Sequence, residues 1–389
     1  MVSSSCKKLS RLEIIYSCNK RLIKEIQKSS PQILPDSLKV YLEEGHRNET
    51  IYRSRDKDLD SKLKALTADA VKLYHLCKGQ SIEETEAFNI LARMLKEQTV
   101  NKDSMVKLKP SKEVRPDSLQ NPTDPDATYR TKGNKGHVGY VANIVKTFDE
   151  DHKIITQYDL KQNTYSDQKF SKDTINKLGK QENEVNMLVD GAYYSHDLSK
   201  EAKENNINLI PTGLVGRSVN EENAGFKDFE IDEKEQVVSK CPMGHKPVKS
   251  TFKRGAYTAH FTKEICDSCP NFPNCPLKSQ KKRYFFQVTE TKFHRAKLMV
   301  EMKTDEYKKI ASKRAGVEGI PSVLRRRYNI DHLPVRGLVR SKIHLGFKIS
   351  AINCKRLIKS RLYSRIKALA SIFHRHLSKI FCFQVTAAA

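Results

Sequence analysis

Val185-Asn-Met-Leu-Val189, then Asp190-Gly-Ala-Tyr193, a polar stretch over residues 195–204, and Ile207-Asn-Leu-Ile210 together decide the fold class. The first and last pieces are short apolar runs of strand length, and the polar piece between them has helical character. Strand–helix–strand succession points to an α/β fold with a mixed sheet and helices packed against it. Asp190 follows the first apolar run directly, at the strand end where open α/β sheets place their sites. The same Asp-Gly pair also suits an ordinary turn. Position alone leaves both readings standing.

Working outward, residues 139–145 and 154–158 have strand composition and are separated by a turn at Asp149-Glu-Asp-His152. A helix is expected over residues 170–178. Further upstream, residues 1–105 read as mostly helical. Residues 58–77 alternate apolar and charged positions and close on Lys78-Gly79, a helix C-terminal signal. Ser81 with Glu84 predicts a capping box ahead of a helix carrying Phe88, Leu91 and Leu95. Residues 110–125, rich in Pro, Ser, Asp and Lys, read as a loop. Downstream, residues 215–288 break the strand–helix rhythm, and helical patterning resumes from Lys292 to about residue 379. Four segments result: a mostly helical part with a linker (1–120), core strands and helices (121–214), a cysteine-rich part (215–290), and C-terminal helices with a basic tail (291–389).

The 389 residues carry a formal net charge of +25 and a pI of about 9.6. Such a surface repels itself unless it meets a polyanion, which makes nucleic acid the first partner to consider. No run of about 20 apolar residues is present to span a bilayer. Residues 1–20 lack the apolar stretch of a secretory signal. Nine cysteines without an export signal fit a reduced cytoplasm and metal binding better than disulfides. After Asp331 no acidic residue occurs, while Arg336, Arg340, Lys342, Lys348, Lys355 and further bases follow. Ile343, Phe347, Ile349, Ile352 and Leu357 keep helical spacing among them. A packed helix with one basic face fits this pattern, and that face suits the phosphate backbone as well as it suits plain solvation.

Glu318 lies in Lys313-Arg-Ala-Gly-Val-Glu-Gly319, with Arg314 four residues before it and Arg325 seven after, on one expected helix face. One acid among arginines fits an ion-pair cluster. It fits equally a metal-binding carboxylate beside bases that grip phosphates. Cys241-Pro-Met-Gly-His245 precedes Cys266-Asp-Ser-Cys269 and Cys275. That spacing suits a tetrahedral Zn²⁺ site of four thiolates, with His245 as a substitute ligand. Four thiolates leave no open position, so such a site would be structural, pinning an insertion without a core of its own. Reduced, unliganded cysteines in a loop are the alternative.

At these residues the chain resembles the DDE transposases of bacterial insertion sequences, which have a ribonuclease H-like core. The resemblance is carried by Met1-Val-Ser-Ser-Ser5, Thr123-Asp-Pro-Asp-Ala127, His137-Val-Gly-Tyr140, Gln162-Asn-Thr-Tyr-Ser-Asp167, Val189-Asp-Gly-Ala-Tyr193, the cysteine segment, Lys313-Arg-Ala-Gly-Val-Glu-Gly319 and Arg336-Gly-Leu-Val-Arg-Ser-Lys342. It implies that Asp190 and Glu318 are the second and third catalytic carboxylates, separated by the cysteine-bearing insertion, and hold Mg²⁺ or Mn²⁺. It implies phosphate contacts from Arg314, Arg325, Arg336, Arg340 and Lys342. The partners implied are transposon inverted repeats and target DNA, bound by a homodimer on the bacterial nucleoid. In relatives the first aspartate sits just before the segment matching Met1-Val-Ser-Ser-Ser5, so an N-terminally truncated, inactive chain is expected. Asp124 and Asp126 are the nearby substitutes. A reading from another class, a non-catalytic zinc-stabilised nucleic-acid-binding protein, gives Asp190 and Glu318 no special role.

Overall fold

The computed structural model describes residues 2–4, 6–53, 58–102, 105–148, 153–214, 225–232 and 234–385, without side-chain detail at 102, 105, 362–364, 366–370 and 372–385. The chain is mixed helix and sheet, as the sequence predicts, and forms two compact units. One joins Met1–Tyr165 to Pro321–Ala389, and the other is Ser166–Ile320. These units cut the chain differently from the four compositional segments, because the last helix packs back on strands far upstream.

The first unit opens with β1 (Val2–Ser3) and α1 (Arg11–Ser29), followed by α2 (Asp36–Lys39), α3 (Leu59–Cys77) and α4 (Glu86–Gln98). Ser10 and Glu13 form a capping box at the start of α1, which fixes where the helix begins. α1 buries Leu12, Ile15, Leu22, Ile23 and Ile26 against Leu66, Leu73, Phe88 and Leu91. At the N-terminus of α4 the structure corrects the expected cap. Residues Ser81–Glu84 make a separate 3-10 turn, and Thr85 caps the helix by accepting from the Phe88 amide. The Thr side chain sits next to the first helical residue, which the Ser81 side chain does not.

A hairpin of β2 (Thr99–Lys102) and β3 (Met105–Leu108) leads through the expected loop to β4 (Thr128–Lys132), β5 (Lys135–Phe148) and β6 (Lys153–Gln162). β5 is the centre of an antiparallel sheet that it forms with β1, β4 and β6. The turn expected at 149–152 lies outside the described residues. Gly139 has φ 148° and packs so close to the β1 backbone that a Cβ would overlap it, a position only glycine fills without strain.

The second unit contains α5 (Asp167–Leu178), β7 (Val185–Val189), α6 (His196–Glu204) and β8 (Ile207–Pro211). β7 and β8 pair in parallel as a two-stranded sheet, separate from the antiparallel sheet of the first unit. Among the described residues the parallel and antiparallel pairings therefore occur in different sheets and not in the single mixed sheet expected. Next come the pair β9 (Glu230–Asp232) and β10 (Val237–Lys240), then β11 (Lys249–Lys253), β12 (Ala256–Thr262), α7 (Lys263–Asp267), β13 (Lys278–Ser279) and β14 (Arg283–Thr289). The strands β11–β12–β14–β13 form one antiparallel sheet. Phe229, Val238, Tyr257, Phe261, Phe286 and Phe293 pack into a core of its own. This corrects the expectation of a segment without a core: alternate residues of β12 and β14 turn inward, and the aromatics supply the buried area.

α8 (Glu290–Glu301), α9 (Asp305–Ser312) and α10 (Ala315–Tyr328) follow, with Pro321 inside α10 at the boundary between the units. α11 (Leu338–Val385) closes the first unit against β6. Ser341, Leu345, Ile349 and Ile352 are its buried face. Ile343, Phe347 and Leu357 are exposed, so the apolar positions read from sequence as one stripe divide between two faces. Asn353 fixes the helix to the strand, accepting from the Ile155 amide at 3.0 Å and donating to its carbonyl at 2.8 Å.

Candidate functional site

Asp190 stands at the C-terminal end of β7 and opens the 3-10 turn Gly191–Tyr193. The turn is held by the Tyr193 amide donating to the Asp190 carbonyl at 2.8 Å. Thr212, just past β8, donates its amide to the Val189 carbonyl at 2.8 Å. Gly191 meets the backbone of Gly213 so closely that a Cβ would overlap it. The Asp-Gly pair is therefore fixed by packing between the two strand ends, and the turn reading and the site reading describe the same residues.

Arg314 joins the pieces. Its guanidinium donates to Glu318 Oε1 at 2.9 Å and to Thr212 Oγ1 at 3.2 Å, and lies 3.7 Å from Asp190 Oδ2. The arginine side chain is 24% exposed, whereas Asp190 and Glu318 are 58% and 63% exposed. Two solvent-facing carboxylates thus converge on one partly buried cation, all within the second unit. Oxygen donors on a surface that admits water are the ligand type Mg²⁺ and Mn²⁺ use.

The other expected phosphate contacts fare differently. Arg325 pairs with Asp331 at 3.4 Å. Lys342 reaches the buried Asp159 carboxylate of β6 at 2.6 Å, which Lys161 also approaches at 3.7 Å, so the paired buried charge anchors α11 to the strand. Arg336 and Arg340 are exposed near the start of α11, with no carboxylate within 4.0 Å among the described residues.

Asp124 and Asp126 serve the architecture of the first unit. Asp124 is fully buried (0%) and accepts from the Ser4 hydroxyl, the Tyr140 hydroxyl at 2.6 Å and the Gly337 amide at 3.0 Å. Burial, then the hydrogen bond to Asp124, raises the Tyr140 phenol above its usual range. Asp126 accepts from the Leu338 amide at 2.9 Å, so it caps α11 where a carboxylate complements the helix dipole.

Cys241, Cys266, Cys269 and Cys275 line one cavity of about 20 Å³ together with His245 and Phe272, room for a single small ion or water. Turns closed by the Gly244 and Cys269 amides bring the thiols round. Burial pushes the Cys266 thiol up to about 11, and the neighbouring Cys275, Cys241 and Cys269 sulfurs add to the rise. Several thiolates crowded together need a cation to coexist, so the donor set fits a zinc-type ion. Sequence reasoning passed over one further group, His196, Glu290 and His294, whose ligand atoms lie within 4.8 Å of one another.

With this geometry in view, residues 240–358 match the protein-family model described as a transposase DDE domain. The match spans a little under a third of the chain and includes Glu318 and the cysteines, while Asp190 lies outside it. It supports a DDE transposase, a class that acts in DNA transposition, binds DNA and generally uses divalent metal ions. No curated protein and no solved structure matches the chain. No helix among the described residues is long and apolar enough to cross a membrane.

Proposed function

We propose that the chain is the catalytic region of a bacterial insertion-sequence DDE transposase with a ribonuclease H-like core, in which Asp190 and Glu318 are two of the three metal-binding carboxylates. The convergence of Asp190 and Glu318 on Arg314 carries this reading. Bound Mg²⁺ or Mn²⁺ would supply Lewis-acid assistance to phosphodiester cleavage and strand transfer. The two exposed carboxylates of Asp190 and Glu318 would hold the ion. Thr212 and the tight Gly191 turn fix where they stand. Arg314 neutralises the pair, and its guanidinium would suit a DNA phosphate once an ion took over that charge. Arg336 and Arg340 add backbone contacts. The cysteine set would hold a structural Zn²⁺, and the enzyme would work as a homodimer on inverted-repeat ends.

Residues 1–389 supply two of the three carboxylates in this reading. Asp124 is a poor third, because both its oxygens already accept hydrogen bonds in the core. The chain by itself is therefore proposed to bind Mn²⁺ weakly and DNA firmly, and to leave supercoiled DNA uncut. The second reading, a non-catalytic DNA-binding protein, draws on the same arginine: a plain ion-pair cluster would also place Arg314 between two acids. Mn²⁺ binding followed by electron paramagnetic resonance separates the two. Loss of the bound ion in both Asp190→Asn and Glu318→Gln supports the transposase site. Unchanged binding in both supports the DNA-binding protein, and nicking by the unaltered chain contradicts the proposed inactivity.

A further inference from the structure

A group unrelated to the carboxylate pair lies where α6 and α8 begin. Ser195 caps α6, which places His196 at its first position. Thr289 caps α8, which places Glu290 at its first position and His294 one turn later on the same face. The His196 and His294 rings stack at 4.1 Å between centroids with 18° between planes. Both Nε2 atoms face Glu290 Oε1, at 3.6 Å and 4.0 Å. The His196 side chain is only 10% exposed, and its Nε2 is fully buried without a hydrogen-bond partner among the described residues.

An ordinary ion pair does not account for this arrangement. Lys200 already neutralises Glu290, with Nζ 2.6 Å from Oε1, so the carboxylate needs no second cation. A buried ring nitrogen left without a partner costs stability, and native structures rarely tolerate one. Two imidazoles and a carboxylate are, by contrast, a familiar ligand set for zinc-class ions. The ligand atoms of one tetrahedral zinc lie roughly 3.3–3.5 Å apart, so the 3.6 Å and 4.0 Å separations from Glu290 must shorten and the stacked rings must tilt apart to aim both nitrogens at one ion. The Lys200 side chain is about half exposed and is free to swing away as an ion enters.

We propose that His196, Glu290 and His294 bind one zinc-class divalent ion, with Lys200 as the cation it displaces. The site staples the first turn of α6, which follows Asp190 through the Gly191–Tyr193 turn, to the first turn of α8, which leaves β14 of the cysteine-bearing sheet. It stands independently of the transposase reading and of any ion at the cysteines.

The test is a metal count by mass spectrometry on the full chain after zinc loading and gel filtration, compared with His294→Ala and Glu290→Gln. The expected result is one zinc per chain fewer in each variant, since ions at the cysteines contribute equally to all three. Cobalt substitution should show the lost ion as a visible d–d band without a thiolate charge-transfer band. Equal zinc content in the unaltered chain and both variants overturns the proposal. Lys200→Ala guards against variants that fail to fold: it keeps every ligand and removes the competitor. Its zinc affinity should rise about two- to fivefold, the range an exposed ion pair contributes, and an unchanged or weaker affinity counts against the site.

Discussion

Replacing Asp124 by Asn separates an architectural carboxylate from a catalytic one. The buried carboxylate accepts three hydrogen bonds, from Ser4, Tyr140 and the Gly337 amide. They tie β1, β5 and the start of α11 to one point. Hydrogen bonds to a charged group contribute about 1.5–3 kcal/mol each and are roughly twice as strong as neutral ones. Asn retains acceptor capacity, and the two hydroxyls rotate to suit it, so the loss is about half of each bond. Summed over three bonds, that gives about 2–4 kcal/mol. With a urea slope of about 2 kcal/mol per molar, the midpoint falls by roughly 1–2 M. Hydrogen exchange of peptides from β5 and α11 across a urea series reads this in the first unit alone. Asp190→Asn, at an exposed position, should change stability by no more than about 0.5 kcal/mol. The reasoning is refuted if Asp124→Asn keeps the native midpoint and instead abolishes divalent-ion binding, because Asp124 would then be a ligand.

Arg336→Ala and Arg340→Ala should each lower the slope of log affinity for duplex DNA against log salt by about 0.9; an unchanged slope removes that arginine from the DNA interface. Gly346→Ala should cost about 1–3 kcal/mol, because an added Cβ overlaps the Tyr158 hydroxyl where α11 lies on β6; a thermal melt like that of the unaltered protein would show that the ring yields freely. At pH 8 the exposed Cys354 should react with a thiol reagent in the native protein while Cys77 does not. Burial pushes the Cys77 thiol up to about 11, which leaves about a thousandth of it as thiolate, and labelling of Cys77 at the rate of Cys354 would contradict its burial.

The parts legible in the sequence were those with a local cause. Val185-Asn-Met-Leu-Val189 is a strand at those bounds because its apolar run ends at an Asp-Gly pair that cannot continue it. The helix ending at Cys77 stops where Lys78-Gly79 allows a positive φ, 77° at Gly79. Choosing between Ser81 and Thr85 as a cap needs the exact helix start, which composition does not supply. The sheet of the cysteine segment was missed because its aromatics are spread over strands that pair only in the fold. Arg314 was singled out as a phosphate contact, but only the fold reveals that Asp190 also reaches it. Lys342 read as one base among many because Asp159, its buried partner, lies on a distant strand. Glu290 and His294 carry an i, i+4 signal on one helix face, whereas His196 joins them solely through the packing of α6 on α8.

The central claim, that Asp190 and Glu318 hold a divalent ion together, is tested most directly by iron-directed backbone cleavage. With added ascorbate and hydrogen peroxide, Fe²⁺ bound in the Mg²⁺ position reduces the peroxide to hydroxyl radicals that cut the nearest peptide bonds. The account predicts cuts beside both residue 190 and residue 318, suppressed by excess Mg²⁺ and absent in Glu318→Gln. Cuts at one position without the other, or cuts that persist in Glu318→Gln, would contradict it.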